Sequence, residues 1–381
     1  MSTAAVDQLF EQSAERSWRD MNEEALLSFQ FTASDPESLD GITDDPPPND
    51  EDPEIEFRYD MAGRGERVRC VYCKHPNHFK GIVVRYRSGR RLVGRDCALT
   101  HHGVAFEKDL IDFEAAIERQ SLARRRRALM AARAQIHKDF MELKADPAVD
   151  VHDRMMRQWR ANFPDLALAM VNVARRDERL TISRKERDEA AEKLRKQRLG
   201  NRFDEERQRA KAAGETWQIY RTIEEDLGSL RGALFFTNGV PVATRLDEIQ
   251  ASVQQVLRGL AADDLQSKQI NAGFRKVSEL RDALAFELDR LQALAEAFDA
   301  DNLARIAKWT NELAAEETRL AAVMANQKPG HIPARFTTDG QSITDRRGLG
   351  GVTISLTSAY RPAPRTLLTT LKDAISLDHE P

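Results

Sequence analysis

Aromatic side chains are scarce, at 7% of 381 residues. A large β-sandwich needs more of them, so the composition points to a helical, partly extended chain. Long apolar runs are missing as well. No stretch approaches the ~20 uncharged residues that a spanning helix requires. The start, MSTAAVDQLFEQ, has neither a basic flank nor an apolar segment, so it does not read as a secretory signal. These absences lead to the expectation of a cytoplasmic protein with no membrane partner. No Gly-rich phosphate loop is visible. Gly348-Leu349-Gly350-Gly351 precedes an expected strand, where a dinucleotide or P-loop site needs a helix. Serine nucleophile motifs are absent, and His137 and His152 stand singly in helical surroundings. No enzyme is expected.

What is present is charge, at 31% of residues against 41% hydrophobic. The formal net charge of −4 hides an asymmetry. Residues 1–60 hold 17 acidic residues and 3 basic ones, whereas residues 61–101 hold 10 basic and 2 acidic. Such a boundary concerns partners and solubility. The basic block could attract phosphate, or the acidic block could fold back over it.

The length suits two or three compact units. In residues 1–30, Val6, Phe10, Ala14, Trp18 and Met21 recur at helical spacing and predict a short amphipathic helix. Residues 31–60 are dense in carboxylates and contain three consecutive prolines, so a disordered linker is expected. Residues 64–103 hold a Cys/His module. Residues 104–232 read as helical. Within them, Ser183-Arg184-Lys185-Glu186 reads as a capping box opening a charged helix that runs to about Gly214. Residues 233–328 read as a helical coiled-coil hairpin. Val277, Leu284, Leu291 and Phe298 recur every seven residues, with Leu280, Leu288 and Leu294 between them. Residues 330–381 predict a small β-hairpin about Asp339-Gly340, a strand from Val352, and a last short helix from Thr366 to Leu377. The fold class expected is mainly α: a small zinc module, long helical and coiled-coil hairpins, and a small C-terminal β-containing unit.

All three cysteines fall between positions 70 and 97, and four of the eight histidines between 75 and 102. The order is Cys70-x2-Cys73, His75, His78, then Cys97-x3-His101 with His102 adjacent. Clustered cysteines in a chain without an export signal argue for metal over disulfides. Cys70 and Cys73 can turn both sulfurs into one tetrahedral zinc site. Between the ligand pairs, Gly81 to Gly94 read as a β-hairpin, with Ile82, Val84 and Tyr86 alternating and Ser88-Gly89 able to turn. Asp96 can then cap a short helix, on which Cys97 and His101, at i and i+4, face one side. His102 lies ~100° further round. Four protein ligands would fill the shell and leave no place for water, so a structural role is expected.

A knuckle, a hairpin and a helix supplying the last ligands resembles the treble-clef zinc finger, and VGRDCALTHHG looks like the helix start of small bacterial and phage modules of that type. The resemblance covers about 40 residues. It implies Cys70, Cys73, Cys97 and His101 as ligands of a structural Zn²⁺. The treble-clef knuckle often carries glycine after its second cysteine. This chain has Lys74-His75 there, which makes His75 or His78 substitute ligands, with His102 a further alternate.

The hairpin also carries Arg85, Tyr86, Arg87, Arg90 and Arg91, with Lys80 beside it. Arginine suits phosphate and Tyr86 could stack on a base. The expected function is therefore a non-enzymatic adaptor or scaffold whose basic zinc module, residues 64–95, contacts DNA or RNA. Helices 277–325 would form a homodimer or bind a partner protein. The rival expectation is a protein-interaction scaffold in which the acidic N-terminus masks the hairpin. Arg124-Arg125-Arg126-Arg127 fans around a helix and reads as solvated surface.

Overall fold

The computed structural model describes residues 18–48, 50–75, 78–237, 239–262, 265–324, 336–339, 342–346 and 351–375. Val6, Phe10 and Ala14 of the expected N-terminal helix therefore lie outside the described residues. Helix predominates, accompanied by small antiparallel sheets. The chain divides into two units. Ala134–Val256 and Val277–Lys372 form one, and the residues before Ala134, with Leu257–Lys276 and the chain from Asp373, form the other.

In the unit that holds the cysteines, β1 (Glu54–Asp60), β2 (Lys80–Tyr86) and β3 (Gly89–Val93) make one antiparallel sheet in that order. Ile55 faces Val84 and Tyr59 faces Gly81, with the register shifting between Ile55 and Phe57. Both sheet faces are covered, which is why Ile82, Val83 and Val84 are all buried. One face packs Ile55, Ile82, Val84 and Tyr86 against Phe106 and Phe113 of α2 (Arg95–Lys144). Helix α1 (Glu23–Ser28) contributes Leu26 to that core, and Trp18 donates its indole N–H to the carbonyl of Ile55. The other face packs Phe57, Tyr59, Val83 and Leu92 under Ala33, Leu39 and Ile42.

The expected linker is thus part of the fold. Residues 54–60 form a strand, and the chain from Phe29 to Thr43 is strapped to the sheet. Arg58 donates its amide to Phe31, Ala33 donates to Arg58, and Thr43 donates to Arg90. Its few apolar residues suffice because both faces of the sheet are covered: Phe29, Phe31 and Ile55 are buried in one core, and Ala33, Phe57 and Tyr59 in the other. In α2, Gly103 departs from helical geometry at φ 72 and ψ −156, separating a first short segment from the long one.

In the second unit, α3 (Pro147–Asn162) and α4 (Pro164–Arg176) precede β4 (Arg179–Arg187). The span 104–232 is therefore not wholly helical. Ser183 to Glu186, read as a capping box, lie inside β4. The charged helix starts later, as α5 (Glu189–Leu199), with Asp188 accepting from the Ala191 amide. Helix α6 (Phe203–Ala212) follows, and β5 (Tyr220–Ser229) returns antiparallel to β4, pairing Arg187 with Tyr220. Alternating Ile182, Arg184, Glu186 opposite Ile223, Glu225 suits a ribbon, and cross-strand pairing overrides the local cap.

The apolar stretch at Leu234 forms α7 (Ala233–Thr237). Helices α8 (Val242–Leu260), α9 (Ser267–Ala297) and α10 (Ala300–Met324) follow. The heptad residues Val277, Leu280, Leu284, Leu288, Leu291, Leu294 and Phe298 are all buried within this one chain. The stripe proposed to join two copies is therefore already occupied by intramolecular packing. Strands β6 (Phe336–Thr338), β7 (Ser342–Asp345) and β8 (Val352–Ser355) form an antiparallel sheet, and α11 (Thr366–Ile375) is the final helix. Gly340 of the expected turn lies outside the described residues. Among the described residues, no helix is long and apolar enough to cross a membrane.

Candidate metal centre

The knuckle is set by backbone bonds. Val68 and His78 form an antiparallel bridge, with the Val68 amide donating to His78 at 2.9 Å. Between them the chain turns tightly, and Lys74 donates its amide to Cys70 at 2.9 Å. Lys74 itself takes the left-handed φ of 57, where the treble-clef pattern often has glycine. The bridge returns His78 to the knuckle, and β3 then delivers the start of α2. Gly94 donates its amide to the Cys70 sulfur at 3.4 Å, and Cys97 follows on the first turn. A Cβ at Gly94 would come within 2.5 Å of the His78 ring, so the close approach demands glycine.

Cys70, Cys73, His78 and Cys97 offer ligand atoms that all lie within 4.8 Å of one another. The Cys73 sulfur is 3.4 Å from His78 Nε2. Around a tetrahedral zinc, sulfur–sulfur and sulfur–nitrogen edges are about 3.6–3.8 Å, so the widest pair stands within about 1 Å of those separations. The donor set therefore fits a metal ion such as zinc, and it could hold one.

The protonation pattern suits a cation. Burial opposes ionisation of Cys70, but amides of Cys73, Gly94 and Tyr72 outweigh it and hold the thiol below its ordinary range. Cys97 is pushed up to about 12, first by burial and then by the charge of Cys70. One thiolate is welcomed and a further one resisted. A divalent ion among the sulfurs removes that conflict.

The fourth residue at the cluster is His78, named only as an alternate from the sequence. His101 is not in the group. It is exposed and stacks on Tyr72, with ring centroids 3.9 Å apart at 14°. Although Cys97 and His101 stand at i and i+4 of α2, Cys97 joins the donor group while His101 lies against Tyr72 of the knuckle. His102 lies between two phenols, its Nε2 at 2.8 Å from Tyr72 Oη and 2.7 Å from Tyr86 Oη. Burial, and then His101, hold its imidazole below the usual value. His75 is exposed and outside the cluster. The spacing Cys70-x2-Cys73-x4-His78, ending at a strand, is the signal that favours His78.

The basic hairpin is engaged by the acidic segment. Arg85 pairs with Glu54 at 2.6 Å, and Arg90 forks onto both oxygens of Glu56 at 2.6 Å. Lys80 pairs with Asp60 at 2.7 Å. Arg91 is buried and donates to the carbonyl of Asp45 and to Ser88 Oγ. Glu51 accepts from Ser88 at the hairpin turn, and the Ser88 amide, then its hydroxyl, Arg91 and Arg87, together hold its carboxyl below the ordinary range against desolvation. Arg87 is exposed there. Tyr86, expected to stack on a base, is 4% exposed and has no free ring face. Three arginines of the four-residue run are likewise in use, and Arg127 is exposed. Arg124 donates to Leu27, Arg125 lies over Phe274 and donates to Ile375, and Arg126 pairs with Glu23.

No protein-family model, curated protein or solved structure matches the chain.

Proposed function

We propose that the chain is a non-enzymatic scaffold whose first unit is fastened by one structural Zn²⁺. Cys70, Cys73, His78 and Cys97 would hold the ion, in a module with the knuckle, hairpin and helix order of a treble clef. The observation that carries this reading is the convergence of four donors within 4.8 Å. Three sulfurs and one imidazole suit zinc, and four protein ligands complete its tetrahedral shell with no position left for water or substrate. The ion would join the knuckle to the start of α2 across the hairpin. In this reading the zinc module is an internal fastening. Its hairpin cations are matched in cis by Glu54, Glu56 and Asp60, which argues against the hairpin as the phosphate-binding surface.

Metal content per chain tests the proposal. Wild type and His101→Ala should each carry one zinc, whereas His78→Ala and Cys97→Ser should lose most of it. A chelator should lower the unfolding temperature of the wild type, because the ion binds the folded state alone. Metal-free wild type that melts at an unchanged temperature would defeat the structural role. Zinc retained by His78→Ala but lost by His101→Ala would defeat the ligand set.

A further inference from the structure

Beyond Ile182, β4 leaves the packed part of its unit. No residue from Ser183 to Ser229 is buried, although the segment contains two strands and two helices. It is an arm: the β4–β5 ribbon with α5 and α6 at its tip. The tip is ordered by its own small contacts. Phe203 meets Trp217 edge to face at 5.5 Å. Arg195 lies over Trp217 at 4.1 Å and donates to its carbonyl, and Lys196 lies 5.6 Å from the Phe203 ring centre. Glu192 ties the base of the tip by accepting from Arg187 and from the amide of Ile219.

Charge along the arm is unevenly used. The ribbon is matched, with Arg179 on Asp226, Arg184 near Glu186 and Glu225, and Lys308 on Glu225. The tip is not. Residues 193–211 hold eight basic residues and three acidic ones. Lys193, Arg198, Arg202, Arg207 and Lys211 are exposed and make no ion pair among the described residues. Helix dipoles account for Arg198 and Lys211, which stand near helix C-termini. They do not account for Lys193 in mid-helix or for Arg202, which occupies the N-cap of α6, where the dipole disfavours a cation. This contrasts with the zinc-module hairpin, whose Arg85, Arg90 and Lys80 face carboxylates.

We propose that the tip of this arm, residues 193–211, is a contact surface for the phosphate backbone of a nucleic acid. Three of the five cations are arginines, whose fork matches phosphate. A protein partner is less suited, because interface cores are apolar and poor in charge. The apolar side chains exposed on the arm are Leu194, at 56%, and Tyr220, at 37%. The contact reads charge and carries no base specificity.

The test is fluorescence anisotropy of the full-length zinc-loaded chain with labelled mixed-sequence duplex DNA and duplex RNA. Five phosphate contacts give an affinity that falls about 500-fold between about 50 and 200 mM salt. Substituting Gln for Lys193, Arg198, Arg202, Arg207 and Lys211 together should abolish salt-dependent binding to both duplexes. These side chains are exposed and unpaired, so that variant should keep its circular dichroism and zinc content. A second variant replaces residues 188–219 by Asn-Gly. Arg187 and Tyr220 are direct cross-strand partners, so a two-residue turn closes the ribbon there. Loss of binding in both variants supports the proposal. Failure of the wild type to bind either duplex at about 50 mM salt overturns it. So does binding retained by the Gln variant. Capture of polyglutamate as tightly as of duplex would overturn it in favour of an acidic protein. Because zinc content is read separately, failure here leaves the fastening role standing.

Discussion

Gly94 decides whether the metal cluster can assemble. Its missing side chain leaves room for the His78 ring, and its amide serves the Cys70 sulfur. Gly94→Ala should therefore displace the imidazole and lower zinc affinity about 10–100-fold, the range seen when ligand-positioning groups are lost. Competition with a chromophoric chelator measures it. An unchanged affinity would show that the ring has another seat. The cysteines were legible in the sequence because three sulfurs in 28 positions have few other uses in such a chain. His78 was harder to choose, because its place depends on the Val68 bridge, a contact across ten positions with no local signature. His101 had the stronger local pattern and lies outside the cluster.

At the level of elements, Gln120 shows how the acidic N-terminal region is held. From α2 its buried side-chain amide donates to the carbonyls of Leu26, at 2.5 Å, and Phe29, at 2.6 Å. Gln120→Ala would strand the Phe29 carbonyl and leave that of Leu26 with the Phe29 amide alone, and should cost about 1–2 kcal/mol in urea unfolding. A change below the error of the midpoint would mean that water replaces the amide. The strand at Glu54–Asp60 was readable in its alternation of Ile55, Phe57 and Tyr59, but local acidity and three prolines outweighed that cue. What composition could not supply was the partner. Strands β2 and β3 carry the arginines and the lysine that Glu54, Glu56 and Asp60 meet, so the charge is dense in sequence and matched in space. The ribbon of β4 and β5 escaped for a related reason, since its pairing spans residues 179 to 229. The heptads were read correctly as apolar periodicity, but periodicity does not say whether the covering surface belongs to the same chain.

Across the whole molecule, the two units should respond to acid by different groups. In the first, on the proposed reading, protons would displace the metal from its sulfurs and imidazole. In the second, His152 is fully buried, with Nδ1 at 2.9 Å from Asp153, whose oxygens accept the amides of Val242 and Ala243 at the start of α8. Buried Arg290 and Glu287 face it from α9, and Arg245 of α8 lies 3.6 Å from Glu287. Burial, and then Arg290, hold His152 below its ordinary value against the pull of Asp153 and Glu287. The unfolded chain therefore binds this proton first. Stability of the second unit should be full above pH about 6.5 and decline as the pH drops toward the depressed folded value. His152→Gln should flatten that decline in urea titrations of the metal-loaded protein. An equally steep decline in the variant would assign it to other groups.

The composition of the first unit also bears on synthesis. It combines the region before Ala134 with Leu257–Lys276 and the chain from Asp373, so its parts leave the ribosome in three separate intervals. The four ligands have emerged long before Phe274, over which Arg125 lies, and before Ile375, whose carbonyl Arg125 contacts. On the proposed reading, a nascent chain could therefore capture a metal ion while the rest of that unit is still being translated. The ion would then shield three sulfurs through the interval when the early segment is most open to oxidation and mispairing.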